Sequence, residues 1–89
     1  MRVTLHCWAA ARAAAGVAEE VVELPATATL ADAVAALRSA HPDREPRLGD
    51  VLAVCAYVVD GSPVGRRDPA AVPLAAGAVV EVLPPFAGG

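Results

Sequence analysis

Val3, Leu5 and Cys7 alternate with Arg2, Thr4 and His6, a period of two that predicts a half-buried strand over residues 2–8. Residues 9–15 are alanines around Arg12, helix-prone but short, and Gly16 ends them with a residue that accepts positive φ. "EEVVEL" then reads as a second strand closed by Pro25, so the two strands form a hairpin with a wide connection. In "TLADAVAALRSAHP" the period changes. Leu30, Val34 and Leu37 fall on one face, Thr29 is placed to cap the first turn with Asp32 three residues on, and Pro42 follows the end. This predicts one amphipathic helix of about three turns, with Ala33 and Ala36 small enough to let it lie close to a sheet.

Residues 41–50, "HPDREPRLGD", are polar and rich in turn formers, which predicts a surface loop. "VLAVCAYVVDG" is apolar and β-branched as far as Asp60-Gly61, so it reads as a strand ending in a turn dipeptide before a short "SPVG" return. "DPAAVPL" suits no regular strand, and "AVVEVL" after Gly77 is the last one. Pro84 must end it, because proline lacks the amide donor that a ladder needs. The order is β-β-α-β-(β)-β: an α+β layout of the β-grasp, or ubiquitin-like, type. A mixed sheet of four to five strands carries one main helix on one face. The expected division is a folded domain over residues 1–83 and an extended tail over 84–89.

At 89 residues the chain is one domain, too small for a multi-site enzyme with its own cofactor fold, which points to work with a partner. The 56% hydrophobic content overstates the core. It includes 22 alanines against 14 valines and 8 leucines, with no isoleucine. A net charge of -3, a pI near 5.1, no lysine and seven scattered arginines leave no basic stripe to neutralise phosphates, which argues against nucleic acid. Arg66-Arg67 lies beside Asp68 in a Gly/Pro-rich turn and reads as a solvated loop.

The spacing of Cys7 and Cys55 matches no zinc or redox signature. Of a disulfide, a metal pair and two reduced thiols, the apolar run around each favours buried free thiols, as a reducing cytoplasm tolerates. The amino-terminal segment mimics a signal peptide, but Arg12 interrupts its apolar run and the strand alternation competes, so a cytoplasmic protein is expected. No stretch is long enough to cross a membrane. Ser62 in "DGSPVG" is a turn residue and not a nucleophile elbow. His6 and His41 have no further ligands at metal spacing and read as surface or cap residues. Trp8, the lone tryptophan, fits either the core edge or an interface.

The chemistry concentrates in "PPFAGG". Read plainly, this is a frayed end. Three features argue otherwise. Pro84 and Pro85 favour an extended polyproline conformation, so six residues reach about 20 Å. Phe86, the only phenylalanine, is a large ring that a partner pocket would explain. Gly88 and Gly89 have no Cβ, so the Gly89 carboxylate can enter a narrow channel and be attacked without crowding. That carboxylate is ionised at pH 7 and a poor electrophile until activated. Transfer of AMP from ATP makes a mixed anhydride, from which a sulfur nucleophile displaces AMP to leave a thiocarboxylate.

With this layout and the ending "EVLPPFAGG", the sequence resembles the MoaD/ThiS sulfur carriers, nearest to the MoaD branch, the small subunit of molybdopterin synthase. "VELPATATLADAVAALRSAHP" is similar to the family's strand, turn and helix segment. The resemblance implies a carrier that is not itself an enzyme and binds no cofactor. ATP is consumed by an E1-like adenylating enzyme acting on Gly89, and a persulfide protein donates the sulfur. A large synthase subunit takes Pro84, Pro85, Phe86, Ala87 and Gly88 into its channel. That subunit would hold the catalytic residues and convert cyclic pyranopterin monophosphate to molybdopterin. Carriage of sulfur for thiamine or cysteine synthesis, conjugation to target proteins as a ubiquitin-like modifier, and a plain interaction domain with an inert tail stay open. The family often has acidic residues in the turn before the last strand, where this chain has Ala76 and Ala78 with only Glu81 nearby, and an asparagine where this chain has Asp60-Gly61.

Overall fold

The computed structural model describes residues 1–85. Strand β1 (Arg2–Cys7) buries Val3, Leu5 and Cys7, as its alternation predicts. Helix α1 (Ala9–Ala15) buries Ala11, Ala14 and Ala15 and stops at Gly16, whose φ of 78° is left-handed and whose N–H donates to the Arg12 carbonyl. The left-handed φ is what requires glycine at position 16, since the Arg44 guanidinium beside it is the end of a flexible side chain that can swing aside. Strand β2 (Glu19–Glu23) returns antiparallel to β1.

Helix α2 (Leu30–Ala40) starts on a reciprocal capping box. Thr29 Oγ1 accepts from the Asp32 amide at 3.4 Å, and Asp32 Oδ2 accepts from the Thr29 amide at 2.8 Å. Leu30, Ala33 and Leu37 are fully buried, while Val34 flanks the core half-exposed.

Residues 41–50 are not simply a loop, and the strand after them is shorter than its apolar run. A 3-10 turn (Pro42–Arg44) leads into helix α3 (Arg47–Leu52), which buries Leu48 and Leu52. Strand β3 is only Ala56–Val59. The two leucines, four residues apart, seat one turn of helix on the core, and an apolar run as short as "VLAV" has no period that excludes helix. Arg38 donates to both Glu45 oxygens at 2.8 and 3.2 Å, and Glu45 Oε2 also accepts from the Gly49 amide at 3.2 Å, which holds the start of α3.

Asp60 and Gly61, at φ 47° and 83°, make the predicted tight turn into β4 (Ser62–Pro63). Residues 69–71 form a 3-10 turn, and β5 (Val79–Leu83) follows, ending immediately before Pro84. The sheet order is β2-β1-β5-β3-β4. Strands β1 and β5 are parallel and the other neighbours antiparallel. This mixed five-stranded sheet with its main helix on one face is the β-grasp layout.

Candidate functional site at the end of the last strand

Strand β5 lies in the middle of the sheet, between β1 and β3, with Val80 and Val82 fully buried. Its carboxyl end is fixed from both sides. Cys7 and Tyr57 flank Val82, and the Trp8 amide donates to the Val82 carbonyl at 3.3 Å. The point at which the strand gives way to Pro84 and Pro85 is therefore held by the core. Pro84 is half-buried and Pro85 exposed. Phe86, Ala87, Gly88 and Gly89 lie outside the described residues.

Beside this exit the structure brings together residues that the sequence left apart. On the sheet face away from α2, Glu19, His6, Glu81 and Val58 form a row across four strands. His6 Nδ1 is 2.9 Å from Glu81 Oε1, and its Nε2 is 3.4 Å from Glu19 Oε1. Trp8 Nε1 donates to Glu81 Oε2 at 2.6 Å. Trp8 is thus no core residue: its ring is 52% exposed and tethered by its N–H. Glu81 is engaged on both oxygens, and the Asp60 carboxylate, accepting from the Val79 amide at 2.8 Å, is a second acidic group beside the last turn.

Charges respond accordingly. The indole N–H, then His6, holds the Glu81 carboxyl below the usual carboxylate range. The hydrogen bond to Glu81, with Glu19 assisting, raises His6 above its ordinary 6.5 against the opposing effect of desolvation. Only the imidazolium can donate from both ring nitrogens to the two carboxylates. A raised folded-state value means that this stabilisation is complete below pH 6.5 and is lost as pH rises through the folded value. Titration of the His6 ring protons by NMR should therefore show a midpoint above 6.5 that Glu81→Gln moves back toward it. A midpoint unmoved by that substitution contradicts the coupling.

Burial pushes the Cys55 thiol up to about 11 and raises Cys7 as well. Both are free, but Cys55 is only half-buried, its Sγ donating to the Val51 carbonyl at 3.2 Å. Neither is an activated nucleophile. His41 Nε2, at the end of α2, is buried 3.3 Å from Glu20 Oε1 of β2 without a hydrogen bond to it. Ser62 is exposed in β4, and Arg67 donates to the Val64 and Pro63 carbonyls within its own loop. Among the described residues no group of three or more His, Cys, Asp or Glu is placed to hold a metal ion. No described helix is long and apolar enough to cross a membrane. Hollows of about 310 Å³ and 490 Å³ lie beside Trp8 and Arg38, respectively. The larger one is lined by Arg38 and Glu45, which already satisfy each other.

A model of the ThiS family matches residues 7–89, nearly the whole chain. The chain belongs to the ThiS family. No curated protein matches it significantly. Among solved structures it is similar to small archaeal modifier protein 1 from Haloferax volcanii, at 26% identity and a TM-score of 0.81, with all of both chains covered. It is also similar to a candidate subunit 1 of molybdopterin converting factor from Pyrococcus furiosus, at 26% identity and a TM-score of 0.75, covering 97% of this chain and 99% of that one. A complex of subunits 1 and 2 of the Helicobacter pylori factor contains a chain of the same fold, 21% identical over all of both chains at a TM-score of 0.61.

The His6, Trp8 and Glu81 cluster is the part of this ThiS-family domain that sequence reasoning missed. Period-two alternation does place His6 and Glu81 on outward faces. Their adjacency, 75 residues apart in the chain, depends on β1 pairing parallel to β5, for which the sequence carries no local signal.

Proposed function

We propose that this ThiS-family protein is a sulfur carrier whose Gly89 carboxylate is the reacting group, and that it serves as the small subunit of a molybdopterin synthase. The observation that carries this reading is the family match running through residue 89, on a domain whose central strand leads directly into Pro84 and Pro85. An E1-like enzyme would transfer AMP from ATP to a Gly89 oxygen, releasing pyrophosphate. The terminal sulfur of a persulfide protein would then attack the carbonyl and expel AMP, and a thiol would cleave the remaining S–S bond to free the thiocarboxylate. A large subunit would hold the residues that pass this sulfur to a pterin precursor. The likeness to the Pyrococcus furiosus chain supports the molybdopterin branch over carriage for thiamine or cysteine synthesis. In this role the protein is a carrier in the cytoplasm and binds no cofactor itself.

The likeness to the Haloferax volcanii modifier supports a second reading, conjugation of Gly89 to other proteins. Intact mass separates the two after incubation with ATP, an adenylating partner and a sulfur donor. Exchange of one oxygen for sulfur supports the carrier, and an adduct with a target protein supports the modifier. An unchanged mass contradicts both.

The tail reading also sets the effect of Phe86→Asp. If Phe86 anchors the tail in the large subunit, the substitution should weaken that complex by about 2–4 kcal/mol and leave the melting temperature of the isolated domain unchanged. Calorimetry giving equal affinity for both proteins would remove Phe86 from the interface.

A further inference from the structure

We propose that the free edge of β2 takes up an extended, basic segment of another protein as a sixth strand, independently of the tail. Among the described residues, strand β2 ends the sheet and pairs only with β1. The Cys7 amide donates to the Ala18 carbonyl and the Leu24 amide to the Met1 carbonyl. In the antiparallel register this turns the backbone of Glu20 and Val22 toward β1, and that of Glu19, Val21 and Glu23 away from it. Among the described residues, the N–H and C=O groups of these last three have no backbone partner. They form a row of unpaired groups that an added strand can pair.

The side chains on that row select the partner. Val21 is 52% exposed at its centre, with the well-exposed carboxylates of Glu19 and Glu23 two residues to either side. A second copy of β2 added antiparallel about Val21 would set Glu19 against Glu23 at each end, and like charges directly opposite destabilise a pair. The three glutamates of β2 have Arg2, His6 and His41 beside them. Of the three neighbours only Arg2 carries a permanent charge, so the edge has three carboxylates to one fixed cation. The complementary occupant has an aliphatic residue opposite Val21 and an arginine or lysine two positions before and after it. Main-chain bonds would supply the affinity and these alternate side chains the choice of partner.

The probe is a blocked heptapeptide, acetyl-Thr-Arg-Thr-Ile-Thr-Arg-Thr-amide, added to the isotopically labelled full chain while amide hydrogen exchange is followed by NMR. Near saturation, exchange should slow by about tenfold or more at Glu19, Val21 and Glu23, the alternate residues of the outer edge, with the largest effects there. The same peptide with both arginines replaced by glutamate should give no protection. Val21→Pro removes an outward donor while sparing the β1 ladder, so the protein should keep its melting curve and lose the peptide. Protection centred on another strand, equal protection by the acidic peptide, or peptide binding retained by Val21→Pro would each overturn the proposal. So would dimerisation of the free chain through β2 at neutral pH.

Discussion

One alanine added after Gly89 should leave a protein that folds and binds its large subunit but is adenylated and loaded with sulfur on the order of a hundredfold more slowly. The addition leaves β5, Pro84 and Pro85 as they are. It carries the carboxylate about 3.5 Å further on and places a methyl beside it. On the proposed reading the carboxylate must meet the α-phosphorus of ATP at a fixed distance and angle, and a channel narrow enough to select for diglycine would exclude a Cβ. Rates of adenylation, followed by pyrophosphate release, and of sulfur loading, followed by intact mass, check this. Binding to the large subunit, measured in parallel, distinguishes a misplaced carboxylate from a damaged tail. If the extended protein is loaded as fast as the native one, Gly89 is not the reactive terminus.

The second large effect belongs to the core. Leu37→Ala should destabilise the domain by about 2–5 kcal/mol, because Leu37 is fully buried beneath the sheet and alanine leaves a cavity there. Domains of this kind are stable by only about 5–15 kcal/mol, so the loss is a large share of the total. Val34, on the flank of the same helix and half-exposed, should cost distinctly less on truncation to alanine. Urea denaturation of both variants measures the difference. Equal losses at the two positions would mean that α2 faces the sheet differently.

How far the fold could be foreseen follows from the range of the interactions concerned. Val3, Leu5 and Cys7 in β1, the Thr29 and Asp32 box, and the turns at Gly16 and Asp60-Gly61 are decided within a few residues of chain, and all are where their patterns place them. Helix α3 was not legible. Its single turn is set by Leu48 and Leu52 seating on the core and by Glu45 joining Arg38 to the Gly49 amide, while prolines and Gly49 make the segment look like a loop. The candidate site divides the same way. Pro84 ending β5 is a local effect and was foreseen. The bonds of Glu81 to His6 and Trp8 need the chain's two ends to meet, and no short window contains that information.

The parallel pairing of β1 with β5 also sets how the domain bears a load. The amino-terminal side of β1 and the carboxyl-terminal side of β5 leave the sheet at opposite ends, because the strands run the same way. Tension between Met1 and the tail therefore acts along both strands and shears them past each other. The hydrogen bonds of the pair, from Thr4 and Val79 to Cys7 and Val82, are stretched together rather than opened one by one. Strand β3 resists from the other side through Ala56 to Val59. A protein that seizes the tail and pulls would load this whole ladder at once, so the domain should yield to such a pull far less readily than to one that peels β2 from the edge.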